Sequence, residues 1–147
     1  MQKILNYING RLVEPEGKTF FDNMNPATGA AYSLIPDSDE RDVELAVQAA
    51  VAAFPSWSET AAAKRSAILV KISELIDKNL DKLALAESVD NGKPVWLAKS
   101  VDIPRASKNF YFYATGILHN HTEAHPMENT AINYTLRHPI GVAGCIS

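Results

Sequence analysis

The chain has 147 residues, 46% of them hydrophobic and 21% charged, which suits one folded domain of roughly 100 to 200 residues. With 17 acidic and 14 basic residues the net charge is -3, which excludes a general attraction to nucleic acid or to an anionic membrane surface. A single cysteine excludes an internal disulfide, and no basic leader or apolar run of about 20 residues is found, so the expected setting is cytoplasmic, with no membrane partner.

Ile4, Tyr7, Ile8, Leu12 and Val13 flank Asn9-Gly10, a dipeptide suited to the positive backbone angles of a tight turn, so the chain is predicted to open on a hairpin. Asn25-Pro26-Ala27-Thr28-Gly29 marks a second turn, and residues 32–35 read as a short strand closed by Pro36. Ser38, followed by Asp39 and Glu40, supplies a hydroxyl cap and acidic charge for a helix start. Val43, Val47 and Val51, beside Ala46, Ala50 and Phe54, give that helix one apolar stripe, and Pro55 is predicted to end it.

A second helix is expected from about residue 60 to 78, with Ile68, Leu69, Ile72, Leu75 and Ile76 on its apolar face. Asn79 then caps a third, adjacent and antiparallel, which Asn91-Gly92 closes and Pro94 follows. Residues 95–118 are again helical in pattern, but Pro104 lacks an amide hydrogen and costs about 3 kcal/mol inside a helix. A break is therefore predicted, with Asp102 near the start of a new helix. Residues 130–138 alternate as a strand does, and residues 140–146 suit a buried parallel strand.

Read for chemistry, the residues are sparing. His119, His121 and His125 lie within seven residues, but no fourth zinc ligand stands at a characteristic spacing, and solvated loop histidines are the simpler reading. Cys145 falls in the apolar terminal strand, where a buried thiol carries little thiolate, so packing is its expected role. Glu87 and Asp90 read as solvated carboxylates rather than an acid and base pair. Arg105 follows Pro104 and precedes the aromatic stretch Phe110-Tyr111-Phe112-Tyr113, a setting suited either to a bidentate grip on a carboxylate or to a surface ion pair. Gly141 and Gly144 stand too close together for a phosphate loop, and no helix follows them.

Three motifs, Asn25-Pro26-Ala27-Thr28-Gly29, Asp90-Asn91-Gly92-Lys93-Pro94 and Arg137-His138-Pro139-Ile140-Gly141-Val142, together with Ile8-Asn9-Gly10 and Trp57 in a loop between two helices, span essentially the whole chain. In order and separation they resemble the N-terminal third of the aldehyde dehydrogenase superfamily. The fold this implies is α/β: residues 1–147 as the incomplete N-terminal part of an NAD(P)-binding domain, built of helices, a β-hairpin, an oligomerisation strand at about residues 130–138 and the first strand of a Rossmann-like sheet.

The resemblance also implies roles. Ile146 and Ser147 match the end of the first coenzyme-domain strand, which lines the NAD or NADP pocket, and the main-chain carbonyls of Met24 and Asp90 match a monovalent-cation site. Asp102-Ile103-Pro104-Arg105-Ala106 with Asn109-Phe110 is similar to the branch that oxidises hydroxymuconic or aminomuconic semialdehydes, where an arginine at this place holds the distal carboxylate. The family's general-base glutamate and nucleophilic cysteine match no residue here, so the 147 residues alone are expected to be inactive, and the full-length protein to act on a small aldehyde as a dimer or tetramer. The competing reading is a non-catalytic helical interaction module that pairs through residues 130–137.

Overall fold

The computed structural model describes residues 1–146, so Ser147 lies outside the described residues. Strands Gln2–Lys3 (β1), Asn6–Ile8 (β2), Arg11–Val13 (β3), Phe20–Asn25 (β4) and Ala30–Pro36 (β5) lead the chain. The predicted hairpin forms between β2 and β3, with Ile8 opposite Arg11 and with Asn9 and Gly10 both at positive φ, 51° and 75°. β5 is the middle strand of a second sheet, parallel to β1 and antiparallel to β4. The turn between β4 and β5 is closed by the Asn25 side chain, whose Oδ1 accepts from the Ala27 amide at 2.9 Å.

Helix α1 spans Glu40–Ser58. Its cap is Asp39, one residue later than the sequence signal: Asp39 accepts from the Arg41 amide, and Asp42 accepts from the Asp39 amide at 3.0 Å, a reciprocal capping box. Ser38 is committed elsewhere, its Oγ accepting from Asn6 Nδ2 at 2.9 Å and so tying the helix start to β2. Pro55 does not end the helix, which runs on to Ser58 and takes in Trp57. Serine hydroxyls bond back to carbonyls of this last stretch, Ser56 Oγ donating to the Ala53 carbonyl at 3.1 Å and Ser58 Oγ to the Pro55 carbonyl at 2.8 Å.

Helices α2 (Ala62–Lys78) and α3 (Leu80–Asn91) follow. Asn79 stands at the N-cap position of α3 as predicted, but its side chain makes no capping bond there; its Nδ2 donates back to the Leu75 carbonyl at 2.7 Å and closes α2. Gly92, at φ 80°, closes α3 as predicted. A short α4 (Val95–Leu97), a π-helical turn (Ala98–Asp102) and α5 (Ile103–Gly116) come next. The break expected at Pro104 is this π turn, which resets the hydrogen-bond register so that the proline falls in the first turn of α5, where no amide hydrogen is required.

The main neighbour of α2 is α5 rather than α3. Their seam is made of small residues, with Ser66, Ser73, Ser107 and Ala114 buried, and the two hydroxyls Ser73 Oγ and Ser107 Oγ lie 2.9 Å apart. Ile68 and Leu75, assigned to the buried face by periodicity, are 40% and 46% exposed. The apolar stripe of α1 is likewise uncovered, with Val43 60% and Val51 55% exposed.

After a 3-10 turn at Ile117–His119, strands Ala124–Met127 (β6) and Ala131–Tyr134 (β7) form a hairpin of their own. The strand predicted over residues 130–138 is thus shorter, four residues long. Residues 140–146 form no strand, because no described neighbour offers a ladder for them to join, and Cys145 is accordingly exposed rather than buried.

Candidate functional site

Two sequence motifs far apart in the chain are pressed together. Gly92 lies so close to the β4–β5 turn that an added Cβ would sit 3.2 Å from Pro26 Cβ and 3.5 Å from the Ala27 amide nitrogen. Only glycine satisfies both the positive φ and this approach. The contact brings the C-terminal end of α3 beside β4, and with it Asp90 beside Asn23.

The side chain that joins them is Tyr32. Asn23 faces Ser33 and Met24 faces Ala31, so Tyr32 is an extra residue on β5, a bulge. Its hydroxyl accepts from Asn23 Nδ2 at 2.8 Å and donates to Asp90 Oδ1 at 2.7 Å. That acceptor holds the Tyr32 proton and raises its pKa above the ordinary 10.0. The Asp90 carboxylate is therefore committed to a structural bond, while its main-chain carbonyl belongs to the last turn of α3, where carbonyls lack helical partners. A cavity of about 580 Å³ beside it is lined by Ile4, Tyr32, Glu87, Val89, Asp90 and Ile103 among others.

The second cluster lies where α3 hands over to α5. Lys93 Nζ donates to Asp102 Oδ2 at 2.7 Å and to Glu87 Oε1 at 3.0 Å, and Lys93 and Asp102 are half-buried at 26% and 21% exposed, with Glu87 more open at 38%. Asp102 first and Glu87 second hold the Lys93 ammonium above its ordinary pKa of 10.5. The other Asp102 oxygen stands 3.7 Å from Arg105 Nη2, too far for a hydrogen bond. Glu87, read from sequence as merely solvated, is thus part of an ion-pair network. Neither Lys93 nor Asp102 was singled out as a pair by sequence, although opposite charges at the two ends of one short helical passage are the available signal.

Arg105 is 71% exposed in its side chain, with no cation-π contact to the aromatic stretch; helical spacing puts Asn109 and Phe112 on its face, at i+4 and i+7. Phe112 and Tyr113 instead pack edge to face on each other, centroids 5.3 Å apart. Ile146 is fully exposed, and the described residues around it build no dinucleotide cradle. Among the described residues no three His, Cys, Asp or Glu side chains converge as metal ligands; His125 lies 3.4 Å from Glu123. No described helix is long and apolar enough to cross a membrane.

The model of the aldehyde dehydrogenase family matches residues 12–147. The chain belongs to the aldehyde dehydrogenase family. Within it, the chain is 44% identical over 143 residues to a 2-aminomuconic semialdehyde dehydrogenase of Danio rerio and 40% identical over 143 residues to that of Homo sapiens, in each case over 97% of this chain and 29% of the relative. A solved NAD+ complex of an aldehyde dehydrogenase from Bacillus cereus superposes with a TM-score of 0.86 at 32% identity, over 90% of this chain and 28% of that one. The chain thus spans under a third of the length of these family members. The helix and strand arrangement described above matches that structure over 90% of the chain.

Proposed function

We propose that the full-length protein oxidises an aldehyde to a carboxylate with NAD or NADP as hydride acceptor, and that its substrate is a muconic-type semialdehyde. The observation that carries this reading is the state of Arg105: a guanidinium 71% exposed on α5, in a 3.7 Å ion pair with Asp102 that closes no hydrogen bond, within a chain similar to semialdehyde dehydrogenases. A guanidinium offers two parallel donors to a carboxylate, which is the group that separates a muconic semialdehyde from a simple aldehyde. Turnover needs a nucleophile, a base and a coenzyme pocket; the only cysteine is Cys145, exposed on an irregular segment, so the 147 residues alone are inactive in this reading. Ile146 and Ser147 would border the coenzyme only when further strands complete the sheet.

Three assignments accompany it. The carbonyls of Met24 and Asp90 form part of a monovalent-cation site, supported by the contact of β4 with α3 and by the negative end of the α3 dipole. The strand within residues 130–138 pairs with another subunit, supported by the exposure of every residue of β7 on a two-stranded hairpin. An exposed free thiol at Cys145 suits the reducing cytoplasm.

The test is aldehyde-dependent NADH formation by the full-length protein, wild type and Arg105→Ala, on a carboxylated semialdehyde and an uncharged aliphatic aldehyde. Arg105→Ala is expected to lower kcat/KM for the carboxylated substrate by about tenfold or more relative to the uncharged one, the worth of a charged hydrogen bond. Equal loss on both substrates overturns the semialdehyde assignment.

A further inference from the structure

The cluster Glu87, Lys93, Asp102 and Arg105 alternates in sign, and its distances are unequal. Lys93 holds Asp102 Oδ2 at 2.7 Å, whereas Asp102 Oδ1 is left 3.7 Å from Arg105 Nη2. Asp102 and Arg105 are three residues apart at the start of one helix, a spacing at which opposite charges interact, and here they form an ion pair without a hydrogen bond. Asp102 divides its charge between the shorter Lys93 bond on one oxygen and this longer ion pair on the other, and the π turn Ala98–Asp102 ends on Asp102. Lys93 and Asp102 are largely enclosed, while Arg105 projects into solvent.

We propose that Lys93 is a specificity-determining positioning residue: by drawing on the charge of Asp102 it keeps the Asp102–Arg105 ion pair long and free of a hydrogen bond, and so leaves the guanidinium donors available for the carboxylate of the substrate. Two physical effects act in the same direction. An arginine already bonded to an aspartate has spent the donors a second carboxylate needs. The four charges sum to zero with Lys93 present and to -1 without it, so removal of Lys93 also makes the local field repel an anionic substrate. The raised pKa of Lys93 means that its charge is present throughout the neutral range. This inference rests on the reading of Arg105 as the substrate anchor.

The experiment uses the full-length enzyme and compares kcat/KM for a carboxylated semialdehyde with that for an uncharged aldehyde. Lys93→Gln is expected to lower the ratio of the two about three- to fivefold, chiefly through KM for the carboxylated substrate, as suits an exposed ion pair gained by Arg105. Lys93→Arg is expected to keep the ratio. In the Lys93→Gln/Asp102→Asn double variant, with no carboxylate left to capture Arg105, the ratio is expected to return to wild type, an effect that a merely structural role for Lys93 does not produce. Should Lys93→Gln not fold, Asp102→Glu extends the carboxylate toward Arg105 with Lys93 in place and is expected to lower the ratio in the same way. An unchanged ratio in Lys93→Gln, or no recovery in the double variant, overturns the inference. Arg105→Ala separates the two levels: if it is not selective, the anchor reading itself falls, and if it is selective while Lys93→Gln is silent, only the role of Lys93 falls.

Discussion

Tyr32 reaches Asp90 because one extra residue in β5 turns its ring away from the alternation of the strand. Its raised pKa makes a prediction in pH. The hydrogen-bonded neutral form is favoured by folding, so its contribution is fully present below pH 10.0 and is lost as pH rises through the higher folded value. Tyr32→Phe is expected to flatten the alkaline limb of a stability profile measured by urea unfolding; an unaltered limb disproves the linkage. Asp39 behaves in the opposite sense. The Arg41 guanidinium at 2.7 Å holds its carboxyl below the ordinary 3.8, so the stabilisation is present above pH 3.8 and fades as pH falls through the lower folded value. Asp39→Asn is expected to remove that part of the acid limb while keeping the cap itself, since only the charge beside Arg41 and the helix dipole is lost. At this scale the sequence was informative where a residue acts through its own backbone, as at Asn9-Gly10 and Gly92. It was silent on Tyr32, whose role depends on a bulge that no local pattern announces.

Between elements, packing follows small residues more than large ones. Periodicity identified α2 and α5 as helices, but the face of α2 that meets α5 is centred on Ser66 and Ser73, residues that an apolar-stripe reading passes over. Serine permits the close approach and then satisfies its own hydroxyl across the seam, Ser107 Oγ also donating to the Ser73 carbonyl at 3.3 Å. Ser107→Ala leaves the buried Ser73 hydroxyl without its partner and is expected to cost about 1–3 kcal/mol, whereas Ser73→Ala/Ser107→Ala is expected to cost less than the sum of the single changes. Denaturant midpoints of the four proteins decide it, strict additivity counting against the coupling. Gly92→Ala is expected to cost about 1–3 kcal/mol, since it adds both backbone strain at φ 80° and a Cβ against Pro26. Thus the motif residues 90–94 and 25–29 were readable as tokens, while their contact with each other needed three dimensions.

For the whole molecule, the legible part was the order of elements up to α5, each carried by caps, prolines and periodicity within one segment. The terminal strand was not realised because a parallel strand is made by its neighbours, and residues 140–146 carry the composition of one with none beside them. The proposed substrate anchor was legible as a residue, Arg105, though not as a member of the charge network that joins it through Asp102 to Lys93. Exposed apolar faces on α1, α5 and β7, with Phe112 at 67% and Ile132 at 70%, predict that the 147-residue chain alone self-associates, eluting on size exclusion well above its 16.1 kDa and shifting with concentration. A concentration-independent monomer contradicts this. Finally, the apolar residues fully enclosed among those described are three alanines, Ala84, Ala98 and Ala114, alongside Pro15. Melting such an interior wets little new hydrocarbon, so in dilute solution the calorimetric step in heat capacity is expected to fall below the usual 12–15 cal/mol/K per residue, giving a broad, shallow endotherm.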